Sequence, residues 1–324
     1  MNIHQSFDNN KIWEPLYREY VSAYPWEIDL FYSKPVRRLK HLHHFGSAAL
    51  FSPIVHSRYE HTLGVWALTA KLMPDHPELR IASILHDVGH LPFSHAVEES
   101  LQLSHHNLTE ELIFGKIIGT ILRKYGFDPG TIIDLLNRNS ALTSKTNYLG
   151  LDHLDSFMRD TFNAGKYNIT PSELLSQIEI KNNYVNTNME SAMHLVDLIF
   201  AEHEIMFNPI FLAMDKILSL ALGAMIRETS FSKTSFQSMV DYEVLYLLNH
   251  TSSSEVQKYV YLLNHPQLIQ IDTQRLDCSI EIEARKTYKK EPLVDGRSFL
   301  EINEIAKRKF EDIDRITTRF FITI

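Results

Sequence analysis

The residues of this sequence that are best suited to chemistry are histidines and one aspartate in the stretch 56–95, namely His61, His86, Asp87, His90 and His95. Imidazole nitrogen and carboxylate oxygen together suit a borderline divalent ion such as Mn, Fe, Co, Ni or Zn. Any one of these histidines by itself is more simply interpreted as a hydrogen-bonded core residue or a residue at a helix end. Their grouping, with an adjacent His-Asp pair at the end of an apolar run, instead predicts a metal site.

Two predicted helices have to position these side chains. Apolar residues recur at helical spacing in 63–70 and again in 79–85, so the ligand candidates adjoin two buried helices. Side chains at consecutive helical positions diverge by about 100°, so His86 and Asp87 can reach one ion only where the helix ends. Gly89 and Pro92 supply that end directly after the pair.

Four strings stand out by their order and spacing: RRLKHLHHFG (37–46), HSRYEHTLG (56–64), HDVGHLPFSH (86–95) and LDHLDSFMRD (151–160). Together they resemble the HD-domain metal-dependent phosphohydrolases, and in particular the branch of the deoxynucleoside triphosphate triphosphohydrolases. The resemblance covers about residues 35 to 165. It implies one divalent ion, with Mg added to the metals above, and the ligands His61, His86, Asp87 and Asp152.

Further histidines are candidates for acid chemistry. By the resemblance, His90 and His95 line a phosphate pocket, and His105 matches a catalytic histidine. A histidine with a pKa near neutrality can donate a proton to a leaving oxygen or hydrogen-bond a phosphoryl oxygen. His106 stands where the relatives have a glutamate. This exchange leaves open whether a catalytic group is lost or a ligand for a second ion is gained.

Arg58 is the candidate for binding the substrate phosphate. It lies three residues before His61, so the two side chains can face one cavity from the start of a helix. A guanidinium group beside a metal ion is suited to holding a phosphate at two points. The simpler alternative is a surface arginine in an ion pair.

The resemblance also implies substrate contacts, some retained and some exchanged. Arg38 matches a retained arginine, and Asp160 matches a residue that contacts a sugar hydroxyl. The relatives have a glutamine, a lysine and a tyrosine where this sequence has His44, His153 and Ser156. FAEHEIMF (200–207) lacks a phosphate-binding arginine and leaves His203 as a positional candidate. These exchanges predict an altered pocket, in which the bond cleaved is a phosphomonoester, phosphodiester or triphosphate bond.

The composition argues against two classes of protein. With 324 residues, the chain is long enough for one large domain or two smaller ones. Its net charge is −8 and its one cysteine is Cys278, so we expect neither a nucleic-acid surface nor an intrachain disulfide framework. No signal peptide or long apolar span is evident, which predicts a cytoplasmic protein without a membrane partner.

We expect an all-α fold of the HD-domain type with a mostly helical C-terminal extension. The predicted organisation is an N-terminal arm at 1–34, a catalytic core at 35–165 and a helical region at 166–324 packed on the core. SIEIEARK (279–286) alternates like a strand and predicts a small β patch.

The sequence therefore predicts a metal-dependent phosphohydrolase that acts on a nucleotide or nucleotide-like phosphate ester, by attack of metal-activated water on phosphorus. A homo-oligomer is compatible with the resemblance.

Two other functions stay open. One is a dinuclear iron oxygenase, which needs extra ligands such as His90 and His105. The other is a catalytically silent nucleotide-binding regulator, which the complete set of four metal ligands argues against.

Overall fold

A computed structural model of the protein describes residues 10–228, 231–284 and 286–324. Residues 1–9 of the predicted N-terminal arm and Arg285 of the predicted β patch lie outside the described residues. The predicted boundaries between arm, core and C-terminal region stay a prediction.

Helices account for 57% of the structure, which confirms the mostly helical class. The α-helices are α1 (Pro25–Tyr32), α2 (Lys34–Arg38), α3 (Arg58–Leu72), α4 (Pro77–Leu85), α5 (Glu98–Leu101), α6 (His105–Phe114), α7 (Ile118–Lys124), α8 (Pro129–Asn137), α9 (Leu151–Asn163), α10 (Pro171–Leu175), α11 (Met189–Met206), α12 (Pro209–Glu228), α13 (Lys233–Ser238), α14 (Asp241–Asn249), α15 (Ser254–Asn264), α16 (Phe299–Ile302) and α17 (Glu304–Ile313).

Three small sheets correct the strict all-α prediction. The strands are β1 (Lys11–Glu14), β2 (Glu19–Ser22), β3 (Glu179–Lys181), β4 (Tyr184–Thr187), β5 (Gln270–Asp272), β6 (Ile280–Glu283), β7 (Leu293–Val294), β8 (Arg297–Ser298) and β9 (Arg319–Thr323). Their orders are β1-β2, β3-β4-β7-β8 and β5-β9-β6. The predicted β patch is realised as β6, which pairs antiparallel with β9. Strands of two to five residues are too short to give a clear periodic signal in a sequence.

Helices α3 and α4 begin and end where the site requires it. Ser57 caps α3 in a capping box: its side chain accepts from the Glu60 amide, and the Glu60 carboxylate accepts from the Ser57 amide at 2.7 Å. Helix α4 ends at Leu85, so His86 follows as its C-cap residue, as predicted from the downstream glycine and proline. A Cβ on Gly89 would lie 2.3 Å from the Thr109 amide nitrogen, so only glycine lets this loop approach α6.

Helices α3 and α9 pack against each other at a glycine. A Cβ on Gly64 would lie 1.9 Å from Asp155 Oδ1 and 2.1 Å from Arg159 Nη2. The absence of a side chain therefore lets the polar face of α9 reach α3. Asp152 and Asp155 lie on that face, one turn apart, as their spacing predicts.

Three groups of buried apolar side chains form the core. One joins the β1-β2 hairpin and helices α1–α4 to α7 and α8, and another joins α9 to α11 and α17. The third surrounds α12 and α15. Among the described residues, α12 is the one helix long and apolar enough, by length and composition alone, to cross a bilayer. Ala213, Ile217 and Leu222 of that helix are fully buried, which is typical of a core helix.

We predict that Gly64→Ala lowers the free energy of unfolding by about 1–3 kcal/mol, because the new methyl group displaces Asp155 and Arg159 from α3. Thermal and urea unfolding would measure the change. The matched control is Gly223→Ala in α12, where the added Cβ meets Arg227 Nη1 at an ordinary 3.6 Å. That control should gain about 0.5–1 kcal/mol from helix propensity. Equal effects of the two substitutions would contradict the proposed close contact.

Candidate metal and phosphate site

Three of the four predicted metal ligands, His61, His86 and Asp152, have donor atoms within 4.8 Å of one another, and Asp87 lies beside them. His61 Nε2 lies 3.1 Å from His86 Nε2 and 3.2 Å from Asp152 Oδ1. Asp87 completes the group, with its carboxylate oxygens 3.6 Å from His86 Nε2 and 3.9 Å from His61 Nε2. Ligands around an ion with bonds of about 2.0–2.2 Å are separated by distances of this order. Two imidazoles and two carboxylates therefore fit a borderline divalent ion, which would be held by His61, His86, Asp87 and Asp152.

The other ring nitrogen of each ligand histidine is already engaged. His61 Nδ1 lies 2.9 Å from Asp155 Oδ2, and His86 Nδ1 lies 2.8 Å from the carbonyl oxygen of Ser83. When Nδ1 donates its hydrogen to an oxygen acceptor, Nε2 keeps the lone pair that binds metal. Both rings are thus held in the tautomer that ligation needs.

Asp155 belongs to a buried network that extends to the N-terminal hairpin. Its carboxylate accepts from the Tyr17 hydroxyl at 2.7 Å and from Arg159 Nε and Nη2 at 2.9 Å each. Arg159 Nη2 also donates to Glu14 at 2.9 Å. Although burial alone would raise it, the pKa of Asp155 is lowered by Arg159 and His61. Asp155 therefore remains a carboxylate and orients His61, a role that the sequence did not reveal.

Arg58 lies beside the ligands, as predicted. The residue is buried, and its Nη1 donates to Asp87 Oδ2 at 2.7 Å. Its Nε donates to Ser94 Oγ at 2.9 Å. The alternative of a surface ion pair is therefore wrong, and the guanidinium group is fixed next to a metal ligand.

A second histidine group adjoins Asp87 on the other side. His90 Nε2 lies 3.2 Å from Asp87 Oδ1, and the His90 ring stacks on His105 with 4.1 Å between centroids. Glu98 binds Nδ1 of His95 at 2.9 Å and Nδ1 of His105 at 2.5 Å. Burial, reinforced by Arg58, holds the pKa of His90 well below its ordinary value. Glu98 was not identified in the sequence, although it follows His95 by one helical turn.

These groups share one large cavity of about 1780 Å³. Every predicted site residue lines it except Arg38. The Arg38 guanidinium instead donates to backbone carbonyls, with Nη1 2.8 Å from His90 O and Nη2 2.6 Å from Met239 O. His203 also fails to reach the cavity, because its ring is buried between Ile199 O and the Tyr288 amide.

Other cavity residues come from distant parts of the chain. Tyr288 lies 5.1 Å from His153 between ring centroids, and Glu202 of α11 lies beside Asp160. Burial raises the pKa of Glu202 well above its ordinary value, and the Asp160 carboxylate adds to the effect. No motif connects Tyr288 and Glu202 to the HD strings, so they could not be identified as cavity residues from the sequence.

Metal uptake should displace a proton from His61. Burial alone would lower the pKa of His61, but its hydrogen bonds to Asp152 and Asp155 raise that pKa to about 10. The ion-free ring is therefore protonated near neutral pH and must lose its proton on ligation. We expect the affinity for Co²⁺ to rise about tenfold per pH unit between about pH 6 and 8, measured by competition with a chelator. An affinity that does not change over this range would contradict the assignment.

Asp155→Asn should weaken metal binding about 10- to 100-fold, because the amide orients His61 less well than the carboxylate does. Isothermal titration with Co²⁺ would measure the loss. Glu14→Gln is the matched control: it alters the same network one residue further from His61, and should cost stability with little change in metal affinity. Equal metal affinities in the wild type and Asp155→Asn would remove Asp155 from this role.

Comparison with known proteins agrees with the site. The HD domain family model matches residues 58–168. The uncharacterized protein YdhJ of Bacillus subtilis is 29% identical over 256 residues, which cover 76% of this chain and 78% of YdhJ. The deoxynucleoside triphosphate triphosphohydrolase SAMHD1 homolog of Dictyostelium discoideum is 24% identical over 207 residues, which cover 54% of this chain and 40% of that protein. The chain spans about half or less of several other curated relatives.

A solved structure shares the fold over nearly the whole chain. It is a phosphohydrolase from Bacteroides thetaiotaomicron, with a TM-score of 0.75 at 12% identity, covering 96% of this chain and 98% of that one. The motifs, the converging ligands and the family match agree with one another. Residues 58–168 match the HD domain family, and the chain is similar to proteins of the HD-domain phosphohydrolase superfamily.

Proposed function

We propose that the protein is a metal-dependent phosphohydrolase that acts on a nucleotide or nucleotide-like phosphate ester. The observation that supports this most directly is the contact between Arg58 Nη1 and Asp87 Oδ2 at 2.7 Å. The Arg58 guanidinium group and the candidate metal ligands therefore face the same cavity. This arrangement suits a phosphate group, which has to be bound where it is attacked. The names of the Dictyostelium and Bacteroides relatives point to the same class of reaction.

Different residues would assist the attack of water on phosphorus and the departure of the leaving oxygen. His61, His86, Asp87 and Asp152 would hold a divalent ion, which would supply Lewis acidity and lower the pKa of an attacking water. Arg58 neutralises the negative charge that develops on the phosphoryl oxygens. As the bond from phosphorus to the leaving oxygen breaks, His90, His95 or His105 donates a hydrogen bond or a proton to that oxygen. Glu98 orients the rings of His95 and His105 for this purpose.

The rest of the substrate would contact the remaining predicted residues. His44, His153, Ser156 and Asp160 line the same cavity and are proposed to bind the organic part of the substrate. Arg38 acts at most indirectly, since its guanidinium group holds the His90 loop through the His90 carbonyl. The exchanges at His44, His153 and Ser156 favour a substrate other than an unmodified deoxynucleoside triphosphate. The proposed reaction therefore cleaves a phosphomonoester, phosphodiester or triphosphate bond.

A product-release assay tests the proposal. Protein reconstituted with Mn²⁺ or Co²⁺ would be offered nucleoside mono-, di- and triphosphates and cyclic nucleotides, and orthophosphate, pyrophosphate and triphosphate would be separated. We expect one class of product, abolished in Asp87→Ala. Release of triphosphate would identify the activity named for the Dictyostelium relative, and orthophosphate would identify a phosphatase. No release from any substrate by metal-loaded protein would contradict the proposed function.

Arg58→Ala should reduce kcat by about 10²–10³-fold at saturating metal, as expected on loss of one group that stabilises transition-state charge. Metal content would be measured in parallel, because Arg58 also contacts the ligand Asp87. Arg227→Ala is the control, since that arginine forms an exposed ion pair with Glu255. Unchanged kinetics in Arg58→Ala would remove Arg58 from the site.

A further inference from the structure

A second group of metal-type donors lies next to the first, and the proposed function uses two of its members, His44 and Asp160, only as contacts to the organic part of the substrate. His56 Nε2 lies 3.1 Å from His44 Nδ1 and 2.8 Å from Asp160 Oδ1. The distance from His44 Nδ1 to Asp160 Oδ1 is 3.9 Å. Two of these separations fall within the 3.1–3.9 Å found among the candidate ligands of the first site, and the distance from His56 to Asp160 is 0.3 Å below that range. The His44 ring lies 4.6 Å from the His61 ring, so the two groups are neighbours.

Two buried oxygens in this group lack hydrogen-bond partners among the described residues. They are Asp160 Oδ1 and Glu202 Oε2, and both residues are at most 3% exposed. Although His56 Nε2 is close to Asp160 Oδ1, the two atoms are not aligned as a hydrogen bond. An unpaired buried carboxylate oxygen is costly. A close approach without a hydrogen bond is instead what two ligands of one cation show.

The side-chain amide of Asn163 adjoins the other ring nitrogen of His56. Asn163 Nδ2 lies 3.2 Å from His56 Nδ1, and turning this amide by 180° would place its oxygen there instead. The oxygen and nitrogen of such an amide are distinguished only by their partners. With the amide oxygen turned toward Nδ1–H, His56 Nε2 presents its lone pair to the group, as second-shell partners of metal-binding histidines do.

The backbone fixes this group independently of the first site. His43 and Ser57 form an antiparallel bridge, and the amide of His44 donates to the carbonyl of His56 at 3.0 Å. This pairing places the rings of His44 and His56 side by side. Asp160 comes from the last turn of α9 and Glu202 from α11, so four separate segments supply the donors.

We propose that His44, His56 and Asp160 bind a second divalent cation, with the Glu202 carboxyl group, next to Asp160, as a further donor outside this closest set. The mixture of imidazole and carboxylate donors selects a borderline ion such as Zn²⁺, Fe²⁺, Co²⁺ or Mn²⁺. Because His44, Asp160 and Glu202 also line the cavity, the bound cation would face the organic part of a substrate and could accept one of its oxygens as a further ligand. The inference does not depend on the hydrolase reaction, since the ion is detected without any substrate.

The test is the stoichiometry of Co²⁺ on the full chain, measured by elemental analysis after gel filtration and by the absorption bands of bound cobalt. We expect two ions per chain in the wild type and one in Asp152→Asn, where the second site remains. His56→Asn should also retain one ion, with the affinity of the second lowered about 100-fold or more. The more exposed His44→Asn serves as a second variant should His56→Asn fail to fold.

His105→Asn is the matched control, a buried histidine of the neighbouring group that should leave both ions bound. One ion in the wild type and none in Asp152→Asn would overturn the proposal. It would also be overturned if His105→Asn lost the second ion while His56→Asn kept it, because the ion would then lie among His90, His95 and His105. None of these results depends on turnover, so failure of the proposed hydrolase activity would be recognised separately.

Discussion

The contact between His61 of α3 and Asp155 of α9 is the interaction on which the metal site depends. It fixes the tautomer of a ligand and, together with Asp152 one turn earlier, joins the two helices at the site. The contact exists because Gly64 leaves room for the Asp155 carboxylate. Arg159, Tyr17 and Glu14 then balance and orient that carboxylate in a buried setting, where an isolated charge would be expensive. The N-terminal hairpin is thus connected to the metal ligands through hydrogen bonds.

Charge is distributed unevenly around the cavity. At the candidate metal ligands, the negative charges of Asp87 and Asp152 are offset by Arg58 and by the ion that they would bind. Despite burial, His90, His86 and Arg58 hold the pKa of Asp87 well below its ordinary value. His90, His95 and His105 lie beside Asp87, with His95 and His105 oriented by Glu98, and are proposed to contact the phosphate and its leaving oxygen. The cavity is also lined by two buried carboxyl groups, Asp160 and Glu202, which disfavour an anion unless a cation is bound there. A substrate with its phosphate near Arg58 and a neutral or hydroxylated group near Asp160 fits this arrangement.

The C-terminal half of the chain completes the cavity that the HD motifs begin. Glu202 from α11 and residues of α12 and β6 line this cavity together with the candidate metal ligands. Arg38 links the His90 loop to Met239, so a residue near the first motif also positions the later helices. The family motifs therefore define the reactive end of the cavity, and the less recognisable region determines its shape at the substrate end.

The sequence by itself predicted the candidate metal ligands, the resemblance to the HD-domain phosphohydrolases, the start of α3 and the end of α4. These features follow from local rules: a capping box starts a helix, a glycine and a proline stop one, and ligand motifs keep short, recognisable spacings. Most of the short strands were not predicted from the sequence, because they contain too few residues for a periodic pattern. Only the tertiary structure brought Asp155, Glu98, His56 and Glu202 to the site. It also showed that the Arg38 guanidinium group binds backbone carbonyls and that His203 lies in the core. Each of these depends on which segments meet across the fold, and side chains distant in sequence become partners only when helix packing removes water from between them.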